Sequence, residues 1–243
     1  MVAARKGHDP FCQPFRTCRN CRASNPDSWR LPISNIAPVW SEVKEGILEI
    51  HENLLTLGKR NRPGEKIIKL KVVAMHWLAA PNQRPVNTRG WWESEQAIGS
   101  AHYVIGTDGY ILRTLPEDEI GYHIGSSQPD PKSGRIYTDK ARALLGPEAF
   151  TGKLRGYWIT PNYFSIGIEM SHLNNDPGDF SEATLASAAE LVADILSRNN
   201  LTVDAVVTHH EMVGWKDCPR LWTNNPALFE EFKGRVSQYL GGL

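Results

Sequence analysis

No run of about 18 apolar residues occurs in the 243-residue sequence, so no stretch is long and apolar enough to cross a bilayer as a helix. Charge of one sign is also missing. Lys and Arg together number 27, as do Asp and Glu, which removes the bulk basic field that holds nucleic acid or anionic membrane. Residues 1–20 are polar and lack the apolar centre of a secretory signal, so the expectation is a chain made in the cytoplasm without one. Cysteine is scarce: four residues are too few for a disulfide scaffold at this length. Three of them, Cys12, Cys18 and Cys21, crowd the N-terminus, and Cys218 stands alone in the body of the chain. A lone cysteine near histidines is more readily a ligand or nucleophile than half of a bridge. No internal repeat is visible.

What remains is room for one domain of ordinary size plus an appendage. Residues 1 to about 37 are rich in Arg, Asn, Pro and Ser without periodicity, which suggests a loop or extended arm. Within it, His8, Cys12, Cys18 and Cys21 could close a small structural zinc site, since Cys18-x-x-Cys21 has a usable bite. A disulfide or free thiols would leave the same letters. From Pro38 to Leu57, Val39, Trp40, Val43, Ile47, Ile50, Leu54 and Leu57 recur at helical spacing between glutamates, and this predicts an amphipathic helix. Lys59 to Gly64 then breaks it as a linker. The expected division is therefore an extension over 1–64 and a catalytic domain over 65–243.

In that second part, Ile67 to Trp77 is β-rich and apolar, as in a strand buried within a sheet. Trp91 to Gly99 predicts a short helix led in by Asn87-Thr88-Arg89-Gly90. Ala101–Ile105 and Tyr110–Arg113 flank Thr107-Asp108-Gly109, a hairpin signature. A long Gly/Pro-rich segment, Ile120 to Pro161, suggests a functional wall or lid. Ser165 to Met170 is a strand with Glu169 among apolar residues. Ser181 to Arg198 is a helix with a serine N-cap, Ala205 to Thr208 is a strand, and Pro226 to Leu240 is a final amphipathic helix. Strands and helices mix without regular alternation, which predicts an α/β domain: a central mixed β-sheet flanked by helices.

The chemistry concentrates where two apolar runs end. Val206-Val207-Thr208 leads into His209-His210-Glu211, with Cys218-Pro219 eight or nine residues on, and Val72 to Met75 leads into His76. Imidazole and thiolate are zinc donors, and two histidines with one cysteine leave a fourth tetrahedral position for water, as catalytic rather than structural sites do.

In chain order, Val-Ala-Met-His76-Trp, Asn-Thr-Arg, Ser-Ala-His102-Tyr-Val-Ile-Gly-Thr-Asp-Gly, Tyr-His123-Ile-Gly, Ser-Ile-Gly-Ile-Glu169, Thr-His209-His210-Glu and Lys216-Asp-Cys218-Pro resemble the zinc-dependent N-acetylmuramoyl-L-alanine amidases, the type-2 amidase and peptidoglycan-recognition-protein family found in many phage endolysins. The resemblance covers roughly residues 65 to 240 and leaves out 1 to about 60. It implies one catalytic zinc held by His76, Cys218 and one of His209 and His210. The His-x-Glu pattern selects His209, whereas an eight-residue step to the cysteine selects His210; His209 is favoured, with His210 on the opposite face of the strand. It further implies Glu169 as general base and Lys216 as the cation that stabilises an oxyanion. Some phage members place a tyrosine before the hairpin histidine, where this chain has Ala101.

His102, His123 and Trp77 would line or support the substrate groove, with a buried structural role open for His102. Trp91, Trp92, Tyr157 and Trp158 are further aromatics for sugar rings, some of them core. The implied reaction is hydrolysis of the bond between the lactyl group of N-acetylmuramic acid and L-alanine, the implied partner is peptidoglycan, and a monomer acting at the cell wall after holin-dependent release is expected. A non-catalytic recognition module and a cytosolic amidase recycling muropeptides are the rival readings. Retention of Cys218, which non-catalytic members typically lack, favours an enzyme.

Overall fold

The computed structural model describes residues 48–242 except 95, 97, 155 and 156. The arm with Cys12, Cys18 and Cys21 and the stretch 38–47 lie outside the described residues. Residues Leu48–Leu243 form one compact unit. Its elements run β1 (Ile50–Glu52), β2 (Val72–Trp77), α1 (Pro85–Glu93), β3 (Tyr103–Ile105), β4 (Ile111–Arg113), α2 (Asp139–Leu145), α3 (Glu148–Thr151), β5 (Lys153–Leu154), β6 (Tyr157–Trp158), β7 (Ser165–Met170), α4 (Glu182–Arg198), β8 (Val206–Thr208), α5 (His209–Val213), α6 (Arg220–Asn224) and α7 (Pro226–Gly242).

Six strands make a mixed sheet in the order β1-β4-β3-β7-β2-β8, and β5 with β6 makes a separate two-stranded ribbon. Only the β3–β4 hairpin is antiparallel within the six; the other four pairings are parallel. Central strands β2 and β7 pair over their whole length, Val72 opposite Ser165 through Trp77 opposite Met170. Strand β2 is apolar on both faces up to His76, and β7 on the face of Ile166, Ile168 and Met170, because both faces of the sheet are covered. Side chains alternate along each strand. Val73, Met75, Trp77, Ile166, Ile168 and Met170 therefore share one face, where α4 (Leu191, Val192, Ile195) and α7 (Phe229, Phe232, Val236) complete the main core. Val72, Ala74 and Val207 lie on the other face, packed against α2, α3 and α5 through Ala141, Leu145, Ala149 and Met212.

Local chemistry sets the elements that matter. Ser181 caps α4, its side chain accepting from Thr184 N at 3.0 Å, and Glu182 and Arg198 sit at the ends that suit their charges. Pro85 occupies the first turn of α1, where its missing N–H costs nothing. That helix thus begins well before the expected Trp91, and Asn87-Thr88-Arg89-Gly90 lies inside it. The strand expected from Ile67 begins at Val72; Ile67, Ile68 and Lys71 instead donate their backbone N–H groups to Asp118, Tyr163 and Phe164 carbonyls. The segment Ile120–Pro161 is not featureless, since it carries α2, α3 and the β5–β6 ribbon.

The amphipathic helix expected over Pro38–Leu57 fails from Ile50 onward. Ile50–Glu52 is edge strand β1, parallel to β4 with Ile50 opposite Ile111. Asn53 N and Leu55 N continue the contact by donating to Arg113 O and Thr114 O at 3.0 and 2.9 Å. Leu55, not Leu54 or Leu57, is the buried leucine, and Leu57 is largely exposed. A free strand edge on β4 outweighs a weak helical period.

Candidate active site

Alternation along β2 and β7 decides what faces the site. Ala74 and His76 share a face with Gly167 and Glu169, and His76 lies directly opposite Glu169 in the ladder. On the far side of β2, β8 ends at Thr208, and the two histidines begin helix α5 rather than ending the strand as expected. Thr208 and Glu211 form a capping box: Thr208 Oγ1 accepts from Glu211 N at 3.1 Å, and Glu211 Oε2 accepts from Thr208 N at 2.9 Å. This turn aims His209 inward. The chain then loops back, and Cys218 O accepts from His210 N at 2.9 Å, which fixes the cysteine beside the helix start.

The donor atoms of His76, His209 and Cys218 all lie within 4.8 Å of one another, and all three residues are buried. Cys218 Sγ is 3.7 Å from His76 Nδ1. His209 Nε2 lies 3.0 Å from Gly125 O; a carbonyl only accepts, so Nε2 carries the proton and Nδ1 is left with its lone pair. His210 stands apart: it is half-buried, and its Nδ1 donates to Lys216 O at 3.0 Å.

Burial favours the neutral form of all four groups, His209, His76, Cys218 and Glu169. Burial, then the Lys216 charge, depresses His209 to about 3. Burial, followed by neighbouring His209 and His123, holds His76 well below its ordinary value. Burial pushes the Cys218 thiol up to about 12 against the opposing pull of Lys216. Burial likewise raises Glu169 to about 8, again opposed by Lys216. As a residue Glu169 is half-buried, but its Oε2 is shut from solvent and has no hydrogen-bond partner. A buried carboxyl oxygen without a partner, as Glu169 Oε2 is, costs free energy that a nearby cation would offset. A His2Cys set suits zinc.

Other residues expected at the site are placed differently. Trp77 follows His76 and so points to the opposite face; it is 8 % exposed, in the core beneath α4, with Arg220 5.1 Å from its ring and His172 against it. It does not line a groove. His102 is fully buried, its Nε2 donating to Glu119 O at 2.8 Å and its Nδ1 accepting from Gly167 N at 3.0 Å. Burial depresses it to about 4, and the open structural alternative is the one observed. His123 is also buried and supports rather than lines: its Nδ1 meets His76 Nε2 at 3.1 Å. Lys216 is half-buried, and its charge acts on His76, His209, Glu169 and Cys218 alike. Trp92 is core, whereas Trp91 and Trp158 are exposed, the latter under Lys153 at 4.7 Å.

Gly125, Ser165 and the Thr208–Glu211 capping box have roles that the sequence left unassigned. Gly125 contributes only a backbone carbonyl, a role that its place in Tyr-His123-Ile-Gly does not reveal. Ser165 holds the far side of His123 at 3.2 Å, a contact that its place in Ser-Ile-Gly-Ile-Glu169 does not reveal either. The capping box was readable as Thr208-x-x-Glu211.

Two histidines and a cysteine within 4.8 Å of one another, beside a shielded carboxyl, are a donor set that could hold a catalytic zinc. A family model described as N-acetylmuramoyl-L-alanine amidase matches residues 66–221, and the chain belongs to that family. It is 27 % identical over 199 residues to a probable N-acetylmuramoyl-L-alanine amidase of Bacillus licheniformis, covering 80 % of this chain and 49 % of the relative. It is 28 % identical over 189 residues to the N-acetylmuramoyl-L-alanine amidase BlyA of Bacillus subtilis (strain 168), covering 77 % and 47 %. The chain thus spans about half the length of the curated relatives it matches. The fold matches a mutant endolysin from Bacillus subtilis with a TM-score of 0.55 at 24 % identity, covering 78 % of this chain and 99 % of that one.

Proposed function

We propose that this chain hydrolyses the amide bond between the lactyl group of N-acetylmuramic acid and L-alanine in peptidoglycan, and acts as a cell-wall-lysing endolysin. One observation carries the reading: in a chain of this family, His76, His209 and Cys218 converge within 4.8 Å, with the unpartnered Glu169 oxygen on the facing strand position. Zinc, when bound by His76 Nδ1, His209 and Cys218, supplies Lewis acidity to water and to the scissile carbonyl.

The remaining chemistry belongs to the chain. Glu169, in its ionised form, accepts a proton from the attacking water as the carbon–oxygen bond forms. It then delivers that proton to the alanine nitrogen as the carbon–nitrogen bond breaks, giving a lactyl carboxylate and a free amine. Lys216 offers fixed positive charge to the developing oxyanion. The Gly125–Ser126 edge, which receives His209 and Trp215 Nε1 at 3.0 and 2.8 Å, walls the site. We assign catalysis to the unit Leu48–Leu243 and place its action at the cell wall after holin-dependent release, as a monomer. A second, structural zinc at Cys12, Cys18 and Cys21 lies outside the described residues.

The test is release of free L-alanine amino ends from purified peptidoglycan, with zinc per chain measured alongside. New termini that vanish on Cys218→Ala and on chelation are expected, with about one zinc per chain; about two would point to the N-terminal cysteines. Zinc bound without new termini on sacculi or soluble muropeptides would leave a recognition module instead. Termini released only from soluble fragments would favour a recycling enzyme.

A further inference from the structure

The site-facing side of β7 carries Ser165, Gly167 and Glu169, and the His123 imidazole lies along it. His123 Nδ1 is 3.1 Å from His76 Nε2, and His123 Nε2 is 3.2 Å from Ser165 Oγ. Ser165 Oγ in turn donates to Pro161 O at 2.9 Å. These contacts have a forced direction. A carbonyl only accepts, so the single Ser165 proton goes to Pro161, and Ser165 Oγ must accept from His123 Nε2–H. A neutral His123 then has a bare Nδ1, which accepts from His76 Nε2–H. His76 is left with its lone pair on Nδ1, the nitrogen 3.7 Å from Cys218 Sγ.

We propose that His123, anchored by Ser165, is a positioning residue that locks His76 in the Nε2–H tautomer and so presents His76 Nδ1 to the metal. The inference rests on the zinc-site reading above and deepens it. His209 is locked the same way by a backbone carbonyl, Gly125 O. His76 sits inside the sheet, where neighbouring carbonyls are occupied by the β2–β7 ladder, and needs a side chain for the task. Ligand histidines generally depend on such an outer partner.

Two further observations show that the ring's place is built. A Cβ on Gly167 would lie 2.5 Å from His123 Cγ. The glycine's backbone is not left-handed, so its small size, in the middle of a strand, serves the ring. The His123 and Ile124 N–H groups both donate to Asn162 Oδ1, at 3.3 and 3.0 Å, which fixes the backbone that carries the ring.

The test uses the full chain and zinc alone, titrated against a competing chelator, for wild type, His123→Phe, His123→Asn and Ser165→Ala. His123→Phe is expected to weaken zinc binding by about 10- to 100-fold. His123→Asn, whose Oδ1 can stand where Nδ1 stood, is expected to recover most of it. Ser165→Ala should weaken binding on the order of tenfold, at the low end of that range. In the zinc-free wild type, long-range nitrogen–proton spectra should show His76 with its proton on Nε2, and Ser165→Ala should mix the two tautomers. A folded His123→Phe or Ser165→Ala chain that binds zinc like wild type would overturn the proposal, as would His76 protonated on Nδ1 in the wild type. If His123→Phe fails to fold, Ser165→Ala decides by the same criteria. Failure of the wild type itself to bind zinc would instead remove the amidase reading, and this inference with it.

Discussion

Glu169 shows how far one residue's environment departs from its sequence neighbours. Burial raises its carboxyl to about 8 from an ordinary 4.5, with Lys216 opposing. In the zinc-free chain the protonated form is therefore favoured on folding. Its stabilising contribution is fully present below about pH 4.5 and is lost as pH rises through about 8. The buried histidines act oppositely, since His102 and His209 are depressed to about 4 and 3 and favour folding above their ordinary 6.5. A difference measurement separates them. Chemical denaturation of the zinc-free wild type and Glu169→Gln across pH 4 to 9 should show the variant gaining on wild type as pH rises. A constant difference would mean that Glu169 titrates normally. With zinc present, Glu169→Gln should retain the metal yet lose roughly 10²- to 10⁴-fold in amide hydrolysis, the usual worth of a general base. At this scale the neighbourhood of His76, His209 and Cys218 was legible, because imidazoles at the ends of two apolar runs, with a lone cysteine shortly after one of them, have few packing reasons to be there. Trp77 was misplaced for a simple cause: the residue next to a site-facing strand residue points to the opposite face of the sheet, here into the core. His102 and His123 looked like groove residues because a motif shows which side chains occur together, not which of them reach solvent.

Among elements, α5 has most to do with so few residues. Five residues long, it is too short to persist by propensity. Its start depends on the Thr208–Glu211 box and on the Cys218 carbonyl receiving His210 N. Thr208→Ala removes one half of that box and should cost about 1 kcal/mol in denaturant unfolding. Because His209 is the first residue of the helix, zinc affinity should fall in the same variant, while Ser181→Ala at the cap of the distant α4 should lower stability without touching zinc. Equal zinc affinity in both variants would show that α5 is held by its packing alone. Elements with a strong local signal were legible: β7 occupies the expected Ser165–Met170, and α4 starts after the expected cap. Strand β1 was not. Three residues carry no measurable period, and its pairing partner β4 lies about 60 positions away in sequence, beyond any local window.

At the scale of the molecule, the family match begins at residue 66, while the compact unit begins at Leu48. The difference is physical. Residues 48–64 supply β1, the buried Leu55, and Asn61, whose Nδ2 donates to Trp92 O at 2.8 Å and whose Oδ1 accepts from Gly99 N at 3.0 Å. They also supply Arg62, which binds Glu119 through Nε and Nη2 at 2.8 and 3.2 Å and Leu55 O through Nη1 at 2.8 Å. The Arg62 and Glu119 side chains are only 12 % and 7 % exposed, so removing the guanidinium strands a shielded carboxylate, with Lys66 at 3.7 Å as partial relief. Arg62→Ala should therefore cost about 3 kcal/mol, the low end for a broken buried pair, or very roughly 6–12 °C in Tm for a unit of this size. A chain starting at residue 48 should unfold in one cooperative transition and bind zinc as the full chain does. A chain starting at residue 65 loses the strand, the leucine and both buried polar partners together, and should unfold far lower or not fold at all. Equal melting of the two truncations would place the working boundary of the domain at 65 and reduce residues 48–64 to a covering strap.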